Sequence, residues 1–445
     1  MVTSPTAPSD GLLKGIPEDI LREIQKIKDM FAVDRETLKR VTDKFSEELA
    51  KGISTPARMK SIPMNVTWAM EYPTGQEHGS FITIDLGGTN LRVCRVVLTE
   101  ELGGYEITQS KFKLPDSVRD GTADQLWSLR SRFSYPVTQD NLTHGILQRW
   151  TNGFNVSGVE GHDVVAQLEH VIEQRNLPVS IVALVNDTTG TLMATAYKDP
   201  EVKIGSIFGT GCNAAYMEEC GSIPMIASYR LPVGKKVVIN TEYGAFDNSH
   251  SVLPRNPFDE TIDQTSPRPG QQTYEKMVAA LYLGELVRLI LFRLHESTGL
   301  FAGYDLSRLN CVNSMDSSCL SAMEGDRLDS MEETCTLLRE RFRIEPALYE
   351  LKVCRLVAEI VCTRAARLYA CGIAAICKKQ NIKSCHVAVD GSAFIKYPLF
   401  GERAAAALRE ILDWPSNSKD LVTFCHAEDG SGIGAALIAA LSRGG

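Results

Sequence analysis

Hydrophobic residues recur along the chain with two different periods, and each period predicts a type of secondary structure. In residues 17–51 the apolar positions lie three and four residues apart behind acidic starts, and Gly52 follows. This pattern predicts two amphipathic helices. From about residue 77 the period becomes two, so the segments FITID, LRVCRVVL and YEITQSKFKLP predict three consecutive strands joined by tight turns.

Predicted strands and helices alternate in the rest of the chain, which indicates an α/β fold. The apolar run VSIVALV at 179–185 predicts a strand that ends at Asn186. KIGSIFGTGCNAAYME at 203–218 repeats the strand, glycine turn and strand of the first sheet. Residues 246–270 are rich in Pro, Asp and Asn, which predicts a long surface loop near a site. Long helices are predicted at 274–297 and 350–379, and a buried strand at 385–392.

Length and charge narrow the class of function. A chain of 445 residues exceeds one ordinary domain of ~100 to 200 residues, so we expect two lobes. Its 44% hydrophobic and 23% charged residues are typical of a globular protein. The net charge of −8 provides no attraction to nucleic acid or to an anionic membrane, so neither is an expected partner. We therefore expect small-molecule chemistry.

The cysteines and the apolar stretches of the sequence indicate the cellular compartment of the protein. The twelve cysteines stand singly from Cys94 to Cys425 with no C-x-x-C pair. This spacing favours reduced thiols in a cytosolic protein over zinc ligands or disulfides. The N-terminal segment is polar, without the apolar core of a secretion signal, and charged or small residues interrupt each long apolar stretch. We therefore expect a cytoplasmic protein that does not span a membrane.

A carboxylate precedes a glycine turn in the first predicted sheet. Asp85 ends a strand, and bare N–H groups in the turn after it can approach a phosphate closely. The turn consists of Leu86, Gly87, Gly88, Thr89 and Asn90. An ordinary hairpin is the alternative for this segment alone. A second such turn at 209–211 favours two phosphate hairpins facing one cleft, as in an actin-like ATPase fold. The sequence contains no Walker A pattern, which argues against a P-loop kinase.

Asp187 is the candidate general base. It follows the predicted strand at 179–185, and a sugar hydroxyl must lose its proton when it attacks a phosphate. The alternative is that Asp187 only caps the next helix. The glycine-rich segment 428–435 predicts the start of a small-residue helix, whose N-terminus attracts anions. Other polar residues on segments that could converge on one cleft are Asn186, Asn213, Glu242 and Glu275.

Ten motifs occur in one order along the chain. They are FITIDLGGTNLRV, FSYPVTQ, ILQRWTNGF, VEGHDVV, VNDTTGTL, FGTGCNAAYME, NTEYGAFD, SPRPGQQTYEKM, VAVDGS and AEDGSGIGAAL. With these motifs the chain closely resembles the fungal hexokinase family, hexokinases and glucokinases, from about residue 17 to 442. The resemblance implies an actin-like ATPase (ribonuclease H-like) fold with two lobes around a deep cleft. It implies an N-terminal domain at 15–198, with a helical start and the small lobe from about 75, and a C-terminal domain at 200–442 whose last helix returns to the small lobe.

The resemblance also implies the substrates and the residues that bind them. A hexose is the implied acceptor, ATP the implied phosphate donor, and Mg²⁺ arrives on the nucleotide without a metal site on the protein. Asp187 is the implied catalytic base. The implied sugar-binding residues are Ser134, Thr151, Asn152, Asn186, Asp187, Asn213, Glu242 and Glu275. The implied ATP-binding residues are Asp85, Leu86, Gly87, Gly88, Thr89, Asn90, Lys111, Thr210, Asp390, Gly391 and Ser392.

Two features depart from the family pattern. The pattern R-W-T-K-G-F has Asn152 in place of its lysine, which removes a positive charge facing the sugar and the transferring phosphate. Residues 116–131 are too few for the helical crossover that joins two parallel strands in the family, and they leave room only for a stub near 122–130. We therefore expect a shortened small lobe.

Two functions remain open from the sequence. The first is ATP-dependent phosphorylation of glucose or a similar hexose at its 6-hydroxyl, the first step of glycolysis. The alternative is a catalytically impaired, hexokinase-like sugar-binding regulator in nutrient signalling, which acts through a regulatory protein partner and has a nuclear pool. Asp187 and the two phosphate turns favour the enzyme, whereas Asn152 and the short crossover favour the regulator.

Overall fold

The structure is a computed structural model, which describes residues 10–54, 61–86, 90–113, 121–123, 136–150, 156–415, 418–427 and 429–443. Its α-helices are α1 Asp10–Leu13, α2 Glu18–Phe31, α3 Arg35–Ser54, α4 Val164–Gln174, α5 Asp187–Ala196, α6 Pro257–Thr265, α7 Thr273–Val278, α8 Ala280–Thr298, α9 Ser317–Gly325, α10 Glu332–Leu337, α11 Leu348–Gln380, α12 Ser392–Lys396, α13 Phe400–Ile411 and α14 Gly430–Arg443. Its strands are β1 Asn65–Val66, β2 Gly79–Leu86, β3 Asn90–Leu98, β4 Tyr105–Lys113, β5 Val137–Asn141, β6 His144–Leu147, β7 Val202–Phe208, β8 Cys212–Glu219, β9 Lys236–Asn240, β10 Cys385–Asp390 and β11 Val422–His426.

The two predicted N-terminal helices are confirmed as α2 and α3. In α2 the buried residues Ile20, Ile24, Ile27 and Phe31 form one stripe, because they lie three or four positions apart. Both helices pack against the long helix α11, and α3 also packs against α13. The helical start therefore shares the large hydrophobic core formed mainly by the second half of the chain.

A six-stranded mixed sheet forms the centre of the large lobe, in the order β1, β9, β8, β7, β10, β11. Strands β7, β10 and β11 run parallel, whereas β8 is antiparallel to both β7 and β9. The carboxyl ends of β7 and β10 therefore meet at one edge of the sheet, where ligands commonly bind. The arrangement confirms the strand, turn and strand predicted at 203–218 and the buried strand that ends at Asp390.

Helix α11 confirms the long helix predicted at 350–379 and runs through the centre of the core. Within the described residues it is the one helix long and apolar enough to cross a membrane. Of its most apolar stretch, 83% is buried inside the protein, and Cys354, Val361 and Ile373 are fully buried. Such burial is typical of the central helix of a hydrophobic core.

All twelve cysteines are free, and nine of them are buried. Burial raises the pKa of the thiols of Cys354, Cys362 and Cys371, which lie on α11, above the ordinary value. These thiols stay protonated and pack as small apolar side chains. The prediction of buried cysteines is confirmed for these nine, and their reduced state stays a prediction.

The small lobe contains the antiparallel sheet β2, β3, β4, which confirms the predicted meander. One face of the sheet, with Phe81, Cys94 and Val96, is buried against helix α14. The opposite face is more open, since Ile82 is 63% exposed and Phe112 is 52% exposed. Burial of this sheet is therefore one-sided at these positions.

The prediction of a strand at 179–185 is wrong. Within the described parts of the chain, residues 179–186 form no ladder with another strand. The N–H of Leu184 donates to the carbonyl oxygen of Leu142 at 2.7 Å, and its carbonyl oxygen accepts from the Gln139 side chain at 3.2 Å. The segment is thus bonded to a turn and to a side chain. Apolar patterning reports burial, whereas a ladder also requires a neighbouring strand edge.

The loop predicted at 246–270 contains helix α6, so that prediction is wrong in part. Asn256 Oδ1 accepts the N–H groups of Phe258 at 3.0 Å and Asp259 at 3.3 Å, and the Asp259 carboxylate accepts the N–H of Asn256 at 2.9 Å. Pro257 takes the first helical position, where its missing N–H costs nothing. The Pro, Asp and Asn residues that indicated a loop act here as signals for a helix start.

A break divides the helix predicted at 274–297 into α7 and α8. Ala279 is extended, with φ −73° and ψ 146°, and the N–H of Ala280 donates to the carbonyl oxygen of Gly209 at 3.0 Å. The break therefore ties the helices to the glycine turn between β7 and β8. Hydrophobic periodicity continues across the break, so it gives no signal of it.

Candidate active site

Two neighbouring strands of the large sheet carry the first polar cluster. Asn213 lies on β8, and Asn240 ends β9 two residues before Glu242. Glu242 Oε1 accepts hydrogen bonds from Nδ2 of Asn240 at 2.9 Å and from Nδ2 of Asn213 at 3.2 Å. Asn213 Oδ1 in turn accepts the backbone N–H of Glu242 at 3.0 Å. The two amides hold the Glu242 carboxylate in one position.

Helix α5 brings Asn186 and Asp187 to the same cluster. Asn186 caps the helix, since its Oδ1 accepts the N–H of Thr188 at 2.9 Å. Asp187 is the first helical residue, and its Oδ1 also accepts this N–H, at 2.8 Å. The Thr188 hydroxyl donates to Oδ1 of Asn186 at 2.5 Å and lies 3.4 Å from Oδ1 of Asn240, which brings the helix start beside the Glu242 cluster. The capping role considered for Asp187 thus belongs mainly to its neighbour.

Glu275 on α7 is buried beside the second glycine turn. Its Oε2 accepts the N–H of Cys212 at 3.1 Å, and its Oε1 accepts Nε2 of Gln272 at 3.4 Å. Burial raises the pKa of the Glu275 carboxyl to about 7; the charge of Glu242 adds to the rise, and these hydrogen bonds oppose it. Burial likewise raises the pKa of Glu242, against the hydrogen bonds from the two asparagines. Carboxyls with raised pKa values in one cluster are typical of functional sites.

Two residues of this cluster have left-handed backbones. Glu242 has φ 54° and Gln272 has φ 55°. Such conformations cost a non-glycine residue about 1 to 3 kcal/mol and persist where the surroundings impose them, often at binding sites. The structure therefore holds both side chains in the cluster at some cost to stability.

Three residues of the cluster were not predicted from the sequence: Arg149, Asn240 and Gln272. Arg149 Nη2 donates to Oε1 of Gln272 at 3.2 Å, and Asn240 joins the start of α5 to Glu242. Each lies within a motif that carries the family resemblance, so the motifs contained a signal. Their contacts span long stretches of sequence, and residue spacing does not report them.

The carboxyl ends of β7 and β10 bring together the ATP candidates of the large lobe. Thr210 and Ser392 are exposed at this edge, and Asp390 ends β10. Gly391 has φ 130°, and a Cβ there would lie 2.1 Å from the Phe208 carbonyl oxygen, so only glycine fits. Exposed hydroxyls and bare backbone at one sheet edge are chemically suited to phosphate groups.

The first glycine turn joins β2 to β3 in the small lobe. Asp85 is opposite Arg92 in the ladder, and Arg92 is opposite Lys111, so the three positions form one cross-strand row. Arg92 forms an ion pair with Asp429 and donates to Ser431 Oγ at 3.2 Å. Arg92, which was not predicted as a site residue, therefore connects this sheet to the glycine-rich start of α14.

The sequence of the chain matches a known family. Family models for hexokinase match residues 203–441 and, in two segments, residues 23–132 and 128–197. The chain belongs to the hexokinase family. It is 50% identical to the hexokinase of Emericella nidulans, over 97% of this chain and 93% of that protein. It is 45% identical to hexokinase-1 of Saccharomyces cerevisiae, over 97% of this chain and 94% of that protein.

Solved hexokinase structures have the same fold as this family member. It superposes on Schistosoma mansoni hexokinase complexed with glucose with a TM-score of 0.87 at 34% identity, covering 95% of this chain and 99% of that one. A second hexokinase crystal structure gives a TM-score of 0.78 at 29% identity, covering 96% and 100%. The predicted two-lobed, actin-like ATPase fold is confirmed.

The hexokinase match is interrupted in the small lobe. The N-terminal family model aligns in two segments that overlap at residues 128–132. The alignment to the Emericella nidulans hexokinase spans 457 residues, more than the 445 of this chain. Both findings agree with missing residues in the interval 116–131, of which the structure describes 121–123.

The structure describes some of the predicted site residues, and others lie outside its described parts. Ser134, Thr151, Asn152, Gly87, Gly88 and Thr89 lie outside the described residues, and for Asp85, Leu86 and Asn90 only the strand position is described. The structure brings Asn186, Asp187, Asn213, Glu242 and Glu275 into the first cluster. It brings Thr210, Asp390, Gly391 and Ser392 to one sheet edge, and leaves Lys111 exposed on β4.

Proposed function

We propose that this hexokinase transfers the γ-phosphoryl group of MgATP to the 6-hydroxyl of glucose or a similar hexose. One observation carries the proposal: the start of α5, with Asp187, lies beside Asn240, which donates to the Glu242 carboxylate at 2.9 Å. This network sets a candidate base beside groups that can hold the other hydroxyls of a sugar. Its family relatives named hexokinase support the same reaction.

Asp187 is the proposed general base. The Thr188 N–H fixes one carboxylate oxygen at 2.8 Å, so the carboxylate is oriented before the sugar arrives. The hexose oxygen attacks the γ-phosphorus, the bond to the β-phosphate oxygen breaks, and ADP leaves while Asp187 accepts the hydroxyl proton. The products are a hexose 6-phosphate and ADP.

The two buried glutamates are the proposed acceptors for sugar hydroxyls. A hydroxyl donates strongly to an ionised carboxylate, so hexose binding favours the charged forms of Glu242 and Glu275. Asn213 and Asn186 add amide groups on the neighbouring strand and helix. Fixed acceptors and donors orient the 6-hydroxyl toward the phosphate, which supplies the positional part of catalysis.

MgATP is the proposed second substrate. The edge proposed to bind its phosphates and ribose has hydroxyl groups from Thr210 and Ser392 and bare backbone at Gly391. Asp390 borders the same edge. The turn after Asp85 in the small lobe is the proposed partner edge, by family resemblance. Mg²⁺ would arrive on the nucleotide.

The proposal includes a cytosolic location and a role in the first step of glycolysis. Free thiols at all twelve cysteines and a net charge of −8 suit a reducing compartment and a small-molecule substrate. A regulatory protein partner belongs only to the alternative in which turnover is lost, which Asn152 favours because an amide replaces a cation there.

A coupled assay with MgATP and glucose tests the proposal, together with the melting temperature of the protein in saturating glucose. Turnover that depends on both substrates is the expected result. A rise in melting temperature without turnover would favour the sugar-binding regulator, because ligand binding to the folded state stabilises it. The absence of both turnover and a thermal shift would contradict both functions.

A further inference from the structure

We propose that Arg149 is a positioning residue of the hexose site, which holds Gln272 in place and balances the charge of the Glu242 and Glu275 carboxylates. The inference rests on the proposed function for its ligand, a hexose. Arg149 acts on the carboxylates in two ways: through the side chain of Gln272, which it contacts, and through its positive charge. Its effect therefore falls on binding and on pH dependence.

The contacts run from Arg149 to Glu275 in two steps. Arg149 Nη2 donates to Gln272 Oε1 at 3.2 Å, and Gln272 Nε2 donates to Glu275 Oε1 at 3.4 Å. The guanidinium thus orients the amide so that its N–H side faces the carboxylate. The backbone of Gln272 is left-handed, with φ 55°, a conformation that persists in a non-glycine residue where the surroundings impose it.

The charge of Arg149 acts on both carboxylates. Burial raises the pKa of Glu275 to about 7, and Arg149 is among the groups that oppose this rise. Burial raises the pKa of Glu242, and Arg149 opposes that rise as well. A nearby cation favours the ionised forms of two carboxylates that lie beside each other in a buried site. Arg149 supplies it.

The other groups that interact with Glu275 do not carry a balancing charge. On β8, Cys212 contributes a backbone N–H and a protonated thiol. The segment after β9 contributes the Glu242 carboxylate and the Tyr243 phenol. Helix α8 contributes the Tyr282 phenol. Lys276, next to Glu275 on α7, donates to Asp263 Oδ1 at 2.6 Å, so its charge is already paired. Residue 152, a lysine in the family pattern, is an asparagine in this chain.

Arg268 is a matched control. Its guanidinium joins the same two segments of the chain, because Nη2 donates to Glu160 Oε1 at 3.1 Å and this oxygen also accepts the N–H of Trp150 at 2.5 Å. Arg149, and not Arg268, is the arginine among the main groups that oppose the raised pKa values of Glu242 and Glu275. Substitution of either arginine would therefore remove a contact between the two segments. Only substitution of Arg149 would shift the pKa of Glu275.

The test compares wild type, Arg149→Gln, Arg149→Lys and Arg268→Gln. Calorimetry measures the Kd for glucose from pH 5.5 to 9. In Arg149→Gln we expect the midpoint at which binding is lost on acidification to move upward by about one pH unit. At pH 7 this weakens binding about fivefold, since a smaller fraction of Glu275 is ionised. Arg149→Lys retains most of the charge and should restore the midpoint, and Arg268→Gln should keep it.

A measurement without sugar separates this inference from the proposed function. The unfolding free energy of each variant is followed over the same pH range, with and without Glu275→Gln, so that the difference isolates the Glu275 titration. The pH above which this difference becomes constant should be about one unit higher in Arg149→Gln than in wild type. An unchanged midpoint in this sugar-free experiment would overturn the role of Arg149, whether or not the wild type binds or phosphorylates glucose. The same upward shift in Arg268→Gln would overturn it too.

Discussion

Gly434 and Gly190 bring helices α14 and α5 into direct backbone contact: a Cβ added to Gly434 would lie 2.0 Å from the Gly190 carbonyl oxygen. Helix α5 begins at Asp187, the proposed base, and α14 comes from the end of the chain and also packs on β2. The C-terminal helix therefore sets the position of the start of α5. Only a residue without a side chain permits this approach.

Gly434→Ala should lower the free energy of unfolding by about 1 to 3 kcal/mol, because the added methyl group meets backbone that cannot move aside cheaply. Turnover should fall as well, since α5 carries Asp187. Urea denaturation and kcat measure the two effects. Gly432→Ala is the control, because the nearest atom to its Cβ is the Cys94 sulfur at 3.6 Å, an ordinary contact. Equal losses in both variants would contradict the importance of this contact.

Asp187→Asn should abolish turnover while glucose binding stays detectable. The amide keeps an oxygen for the Thr188 N–H, so the helix start is preserved, but it does not accept the hydroxyl proton in the transition state. Single-turnover kinetics and glucose calorimetry separate the two effects. Asp199→Asn, at a carboxylate that binds His386 at 2.6 Å on the large sheet, is the control and should retain turnover. Retained turnover in Asp187→Asn would assign the base to another group.

Glu275→Gln should remove most glucose affinity and yet stabilise the sugar-free protein at pH 8. Burial raises the carboxyl pKa from 4.5 to about 7, so ionisation lowers stability as pH rises across this window and the full loss is present above it. The neutral amide avoids this loss, which corresponds to about 3 kcal/mol for the raised pKa. At pH 4 the two proteins should be similar in stability.

Glu218→Gln is the opposite control for that experiment. Lys379 and other donors hold the pKa of Glu218 below its ordinary value despite burial, and Lys379 forms an ion pair with it. Its stabilising contribution is present above the unfolded pKa and is lost as pH falls. The substitution should therefore destabilise the protein at pH 8. The same sign of effect for both substitutions would contradict the assignment of Glu275 as a buried, costly charge.

The sequence predicted the elements whose signal is local. The stripe from Ile20 to Phe31 and the alternation in β2 and β3 report burial within a few residues, and both were confirmed. The strand at 179–185 failed because a ladder depends on a partner elsewhere in the chain. The helix break at Ala279 failed because its cause is the Gly209 carbonyl oxygen, 71 residues away along the chain from Ala280.

The candidate site shows the same division. Motifs identified Asn213, Glu242 and Glu275 as polar residues on segments that could converge, and the structure brings them together. Arg149 and Gln272 were missed, since their hydrogen bond joins residues 123 positions apart. The raised pKa of Glu275 also depends on burial by segments that are remote in sequence. Spacing within a motif contains no such information.

Amide hydrogen exchange should be faster in β2, β3 and β4 than in α8. The sheet has an open face at Ile82 and Phe112, whereas Leu283, Leu286, Ile290 and Leu294 of α8 are buried. Local opening costs less where less apolar surface is covered. Exchange detected by mass spectrometry of peptides measures this difference, with β7 and β8 as strands of the well-covered sheet for comparison. Equal protection in the two sheets would mean that the small lobe is as stable as the large one.

Asn152→Lys should raise turnover, because the family pattern has a lysine at this position and an ammonium group would stabilise charge that moves during phosphoryl transfer. Loss of one such donor commonly costs about 10²- to 10³-fold in rate, so a gain of this order is expected when the lobes close on the substrate. Glucose affinity should change much less. Steady-state kinetics with MgATP and glucose, compared with Asn152→Gln as an uncharged control of greater length than asparagine, measures the gain.

The short interval at 116–131 decides how that result is interpreted. If the small lobe does not close, the new lysine stays in water and the rate does not recover, because positioning is lost. A variant that carries the longer crossover of an active relative, alone and together with Asn152→Lys, separates the two causes. Recovery only in the combined variant would assign the low rate to both departures. Full activity of the unmodified protein would contradict the view that either departure is damaging, and would mean that the remaining donors and Mg²⁺ suffice to hold the transferring phosphate.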